Sequence, residues 1–152
     1  MVPKRYSKRR RTQGVKLPTW TLPRLETTPN RYSRNTFVCD HEFPELTALC
    51  PITKLPDFYV VALSYQPDTK LVELKSLKLY FVAYRNLEIL HEELANKFLE
   101  DFVDAVSPRW ASVEVKVNNR GGIYTTVRRS WNKRTKSPTL NPSWQPALGK
   151  IR

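Results

Sequence analysis

Glycine, histidine and cysteine are scarce in this chain of 152 residues, which has only four, two and two of them respectively. The four glycines nowhere form Gly-x-Gly-x-x-Gly, so a dinucleotide-binding Rossmann domain is excluded. Two cysteines, Cys39 and Cys50, are too few for a disulfide framework. His41 and His91 lie 50 residues apart and have no Cys-x-x-Cys partner, so no metal site is spelled out. Long apolar runs are missing too. The longest stretches, such as residues 59–63 and 79–84, fall far below the ~20 residues a membrane span needs. The basic N-terminal segment lacks the apolar core and small-residue cleavage site of a secretory signal, and the expected location is cytoplasmic.

Acids are lacking at both ends, and this explains the net charge of +12. Residues 1–35 carry ten Lys/Arg against Glu26, for +9, and residues 118–152 carry eight Lys/Arg and no acid, for +8. The middle, 36–117, has eight bases and thirteen acids, for −5, and the three segments sum to +12. A nucleic-acid surface needs clustered Lys/Arg to neutralise phosphates, so the acidic middle is not one. The ends are different, and contact of these basic arms with tRNA is an open expectation.

The length suits one domain with a real core. Residues 1–20 combine high like charge with no apolar periodicity and read as a flexible basic arm. Residues 132–152 hold Pro138, Pro142 and Pro146 and read as a basic, irregular tail, leaving 21–131 as the folded domain. Within it, residues 58–66 are rich in β-branched and aromatic side chains and read as a strand. The turn residues 66–69 then suggest a hairpin to a second strand at 70–73. Apolar positions in 75–85 fit a helix about as well as a strand, and helix is favoured. Asn86 is a candidate cap for the next helix, whose stripe Leu87, Leu90, Leu94, Phe98, Phe102 and Val106 is the clearest in the chain. Ser107-Pro108 ends it. Residues 111–117 alternate with Val113, Val115 and Val117 on one face, 118–122 turn the chain, and 123–129 form another strand. The predicted order is ββααββ, an α+β fold with an antiparallel sheet and helices on one face. Such a sheet has two free edges, which invite pairing with further copies.

Three groups of residues could carry chemistry. Cys50 lies in a short loop stiffened by Pro51 and Pro56 and followed by Asp57. A free cysteine is more often a small buried hydrophobe than a nucleophile. A rigid loop is nonetheless a poor place for core filler and a good one for near-attack geometry. Asp57 fits either a turn or a general acid. His91 and Glu92, early in the long helix, fit a solvated face or a pocket in which a carboxylate accepts from a purine-like base. Lys75 and Lys78, with Ser76 between them, fit solvent-facing side chains or a phosphate site near a helix start.

Together these residues resemble the NADPH-dependent 7-cyano-7-deazaguanine reductases, the nitrile reductases of queuosine tRNA modification, in their short single-domain form. The likeness rests on Leu25-Glu26-Thr27-Thr28-Pro29-Asn30, Glu45-Leu46-Thr47-Ala48-Leu49-Cys50-Pro51-Ile52-Thr53 and Pro56-Asp57-Phe58. It continues through Glu73-Leu74-Lys75-Ser76-Leu77-Lys78-Leu79-Tyr80, Tyr84-Arg85-Asn86, His91-Glu92 and Arg120-Gly121-Gly122-Ile123. The resemblance implies a tunnelling fold (T-fold), whose ββααββ subunits join edge to edge into rings with active sites at subunit interfaces. It implies that Cys50 attacks the nitrile carbon to give a thioimide, that Asp57 supplies a proton, and that His91 belongs to the catalytic set. It further implies that Glu92 and His91 hold the deazaguanine, that Val72, Glu73 and Leu74 line its pocket, and that Lys75, Ser76 and Lys78 serve NADPH. No metal is implied. Residues 37–44 and the basic ends depart from the family pattern, and Cys39 matches no family role. An alternative is the related amidine-forming branch, which adds ammonia to the nitrile on tRNA to form archaeosine. The Lys75/Ser76/Lys78 block favours the reductase.

Overall fold

The computed structural model describes residues 21–135. The basic arm expected at 1–20 and nearly all of the tail expected at 132–152 lie outside these residues. Six strands and two α-helices follow one another: β1 Thr27–Pro29, β2 Cys39–Leu49, β3 Pro56–Gln66, β4 Lys70–Val72, α1 Leu74–Val82, α2 His91–Val106, β5 Trp110–Arg120 and β6 Ile123–Asn132. A 3-10 turn, Ala83–Asn86, extends α1. Strands β2-β3-β5-β6 form an antiparallel four-stranded sheet, with β2 and β6 at its edges. Within this sheet and its helices the order ββααββ holds.

The odd-numbered side chains of β3 explain the layering. Tyr59, Val61, Leu63 and Tyr65 are all buried, because strand side chains alternate between faces with a period of two. Leu46 and Ala48 of β2 and Ala111, Val113 and Val115 of β5 join them in the core. The buried α2 residues Leu94, Ala95, Phe98, Leu99, Phe102 and Val106 recur at the three- and four-residue spacing of a helix face laid on this surface. Phe98 packs near Tyr80, Phe81 and Phe102, and Phe102 meets Tyr65 of β3 edge to face, so the two helices and the sheet share one aromatic centre. Burying each large side chain of this kind contributes roughly 1.5–3 kcal/mol.

Three sequence expectations are corrected. Residues 70–73 do not return along 58–66 as a hairpin; β4 pairs instead with β1, with Thr28 opposite Leu71, in a separate two-stranded sheet. The neighbour of β3 that the pattern concealed is β2, whose pairing shifts register between Phe43 and Leu46. That bulge breaks the alternation a strand would otherwise display. Asn86 does not cap α2 but ends the 3-10 turn, and α2 begins five residues later at His91. There the Glu93 carboxylate accepts from the Leu90 backbone N–H at 3.1 Å. At the other end Ser107 takes a left-handed conformation, φ 51°, and closes the helix before Pro108.

Candidate active site

Backbone hydrogen bonds close the Cys50 loop at both ends. The Cys50 N–H donates to Leu55 O at 2.9 Å, and Cys50 O accepts from the Lys54 N–H at 2.8 Å. Lys54 adopts φ 60°, the left-handed turn that makes this closure short. The loop is tied to the start of α2 by a second pair of bonds. Leu49 N–H donates to Leu87 O at 2.8 Å, and Ile89 N–H donates to Leu49 O at 3.1 Å. The segment before α2 thus runs beside the residue preceding Cys50, and His91 and Glu92 arrive at the Cys50 end of the sheet.

The Cys50 thiol is partly exposed and its pKa is lowered to about 7, chiefly by a hydrogen bond from the Thr53 side chain, then by the Thr53 and Ile52 backbone. A smaller contribution comes from the Arg120 side chain. A thiol so placed is substantially thiolate at neutral pH, the form that acts as nucleophile. Asp57 stands opposite Ala48 in the β2–β3 register, two residues from Cys50. It is only 4% exposed. Its Oδ1 meets the Arg120 guanidinium at 3.1 Å, whereas Oδ2 is buried without a hydrogen-bond partner. Orphaned buried carboxylate oxygens are rare and point to a group that arrives from outside.

Tyr59, on the same face of β3, is fully buried and its hydroxyl lies 3.0 Å from His91 Nδ1. Burial raises the Tyr59 pKa well above the usual tyrosine range, and the charges of Asp57 and Cys50 add to the rise. Cys50, Asp57, Tyr59, His91, Glu92 and Arg120 therefore form one electrostatic neighbourhood at one end of the sheet. Thr53, Tyr59 and the pairing of Arg120 were not singled out from sequence. Arg120 beside the Gly121-Gly122 turn was a visible signal, but only the β3–β5 pairing, which sets Val117 opposite Tyr59, turns it toward Asp57.

The second cluster lies elsewhere in the chain. Glu73 caps α1, its carboxylate accepting from Lys75 N–H at 2.8 Å and Ser76 N–H at 2.7 Å. The Ser76 hydroxyl is turned inward, accepting from Glu26 N–H at 2.9 Å and donating to Glu73 O at 2.8 Å. Val72 is buried, while Leu74, Lys75 and Lys78 are exposed. The Lys75 and Ser76 amides and the serine hydroxyl already have partners, whereas the Lys75 and Lys78 ammonium groups point to solvent on the exposed side of the helix. Lys78 lines a hollow of about 330 Å³ with His41, Leu63, Leu74 and Phe81. Leu63 is six residues along β3 from Asp57, which at ~3.3 Å per residue is roughly 20 Å. The single chain thus brings Cys50, Asp57, His91 and Glu92 together at one end of β3 and sets the Lys78 hollow apart from them.

The family model described as QueF-like protein matches residues 56–136. A 7-cyano-7-deazaguanine reductase of Alkalilimnicola ehrlichii, named as NADPH-dependent, is 44% identical over 123 residues, covering 81% of this chain and 89% of the relative. The chain belongs to the QueF family. An equally named protein of Prochlorococcus marinus is 47% identical over 102 residues, covering 67% of this QueF-family chain and 76% of the relative. The apo crystal structure of the archaeosine synthase QueF-Like superposes with a TM-score of 0.55 at 30% identity, covering 62% of this chain and 91% of that one. Among the described residues no helix is long and apolar enough to cross a membrane.

Proposed function

We propose that this QueF-family chain is a cytoplasmic, NADPH-dependent reductase of the nitrile of 7-cyano-7-deazaguanine, forming 7-aminomethyl-7-deazaguanine for queuosine in tRNA. The observation that carries the reading is a thiol poised near neutrality beside a buried carboxylate with one unpartnered oxygen. The likeness to reductases at 44–47% identity supplies the electrophile.

A nitrile is a weak electrophile, and a thiolate is the strongest side-chain nucleophile at neutral pH. In this reading Cys50 Sγ bonds to the nitrile carbon, C≡N becomes C=N, and the nitrogen gains a proton. Asp57 Oδ2 takes the thiol proton and hands it to that nitrogen, so its net charge is restored. Glu92 accepts from the N–H groups of the base, with His91 beside it. Two NADPH, bound in turn, would each supply one hydride, and a second proton drawn from solvent would complete the aminomethyl group. Lys75 and Lys78 fit its phosphates as point charges, three residues apart on an exposed helix face. Ser76 contributes from behind by holding the cap together. When the C–S bond breaks, Cys50 leaves as a thiolate, which its low pKa favours.

The placing of the Lys78 hollow six residues along β3 from Asp57 supports a homo-oligomer in which Val72, Glu73, Leu74 and the lysines of one copy complete the pocket of the next. Apolar side chains around the nucleophile suit such a contact: Ile52 is 81% and Phe58 52% exposed. The free edges β2 and β6 suit it as well.

The test is NADPH oxidation by the purified full chain with the free nitrile base. Two NADPH consumed per nitrile, and none with Cys50→Ala, is the expected result; undiminished turnover in Cys50→Ala would sink the reading. The amidine-forming alternative, favoured by the 30% likeness to an archaeosine synthase, requires nitrile-bearing tRNA and ammonia and consumes no NADPH.

A further inference from the structure

The first residue of α2 is held by a tyrosine that no part of the proposed chemistry uses. Tyr59 lies two residues beyond Asp57 on the same face of β3 and is 0% exposed. Its hydroxyl is 3.0 Å from His91 Nδ1, and the two rings meet edge to face with centroids 5.5 Å apart at 69°. His91 itself is only partly buried.

The direction of this hydrogen bond follows from counting protons. A phenol has one proton to donate, and among the described residues His91 Nδ1 is the one hydrogen-bond partner of this hydroxyl. Were Nδ1 protonated and donating to the phenolic oxygen, the phenol's own hydrogen would be left in a closed interior with no acceptor. Buried donors without acceptors are disfavoured, so the arrangement in which Tyr59 donates prevails. Ionisation of Tyr59 offers no escape, because burial, Asp57 and Cys50 all oppose it.

We propose that Tyr59 is a positioning residue: its O–H donates to His91 Nδ1 and locks the neutral imidazole as the Nε2–H tautomer. His91 then presents a donor beside the acceptor carboxylate of Glu92. The pair matches a ligand that offers both an acceptor atom and N–H groups, as a deazaguanine does. The tautomer follows from the geometry alone, whereas its service to the substrate rests on the reductase reading above.

Long-range proton–nitrogen correlation NMR on the ¹⁵N-labelled full chain tests it at a pH where the imidazoles are neutral. Only His41 and His91 contribute, and His91→Gln assigns them. Wild-type protein should show His91 with an unprotonated Nδ1 and a protonated Nε2. Tyr59→Phe should shift His91 to a mixture of tautomers and leave His41 unmoved. A protonated Nδ1 in the wild type overturns the proposal even if the variant fails to fold, and so does an unchanged His91 in a folded Tyr59→Phe. In turnover, Tyr59→Phe should lose about fivefold to tenfold in kcat/KM for the nitrile. An altered tautomer with wild-type kcat/KM would remove the substrate half of the proposal. A wild-type protein that oxidises no NADPH would instead remove the reductase reading, with the NMR result still deciding the tautomer.

Discussion

Arg120 reaches back from the tip of the β5–β6 hairpin to place its guanidinium 3.1 Å from Asp57 Oδ1, while Asp57 Oδ2 is buried and unpartnered. The carboxylate is thus held by one oxygen and left open by the other. Replacing Arg120 with Met should leave a buried carboxylate without its counter-charge. Because the arginine is partly exposed, a loss of about 1–2 kcal/mol in urea unfolding at neutral pH is expected. The double variant Asp57→Asn/Arg120→Met should recover part of that loss; strict additivity would show that the pair is not coupled.

Cys50 should react with iodoacetamide at a rate that rises with pH through a midpoint of about 7, since only the thiolate attacks. Thr53 is the largest cause of the lowered value. Thr53→Val removes a donor that stabilises the anion, so the midpoint should move upward and the rate at pH 7 should fall. Peptide mass mapping separates Cys50 from Cys39. A wild-type midpoint near that of an ordinary cysteine would refute this electrostatic account.

The Glu73 cap makes an acid-side prediction. Its carboxyl is held below the usual glutamate value by the Lys75 and Ser76 backbone N–H groups. A carboxyl with a depressed folded-state pKa adds stability above its unfolded-state value and loses it as pH falls through the folded value. Glu73→Gln should therefore melt lower than wild type at neutral pH. The two melting temperatures should converge as acid protonates the wild-type cap, and a constant gap down to acid pH would contradict this.

Phe98 sits where both helices meet the sheet, fully buried among Tyr80, Phe81 and Phe102. Phe98→Ala should cost about 3–5 kcal/mol in chemical denaturation. A cost under 1 kcal/mol would mean that the aromatic centre collapses around the gap.

Lys75→Ala/Lys78→Ala should raise the KM for NADPH and leave iodoacetamide labelling of Cys50 unchanged, because the two clusters are separate within the chain. Sedimentation of wild-type protein then tests the composite site. A monomer that turns over at full rate would exclude it.

Legibility tracked the range of the interactions. The stripe from Leu87 to Val106 revealed α2 because helix periodicity is written in neighbours three and four residues apart, although Leu87 and Leu90 precede its first residue. Strand β2 stayed hidden because its register shifts between Phe43 and Leu46, which interrupts the period of two. The partner of β4 stayed hidden for another reason. Lys70 to Val72 can pair with any free edge, and the turn chemistry of residues 66–69 suggested the nearest strand rather than β1, some forty residues earlier.

By itself, the sequence determined what is local: a stiff loop presenting Cys50 with Asp57 behind it, a basic helix start at Lys75 and Lys78, and a long amphipathic helix ending at Val106, though not where that helix begins. Tertiary structure alone decided which of these meet. Pairing of β3 with β5 turned Arg120 onto Asp57 across 63 positions, and the docking of α2 on the sheet set His91 against Tyr59 across 32. The same packing set Lys78 beside Leu63, away from the Asp57 end of β3. Contacts between distant residues depend on sheet register and helix docking, which a burial pattern constrains but does not specify, and the chemistry of this site is made of such contacts.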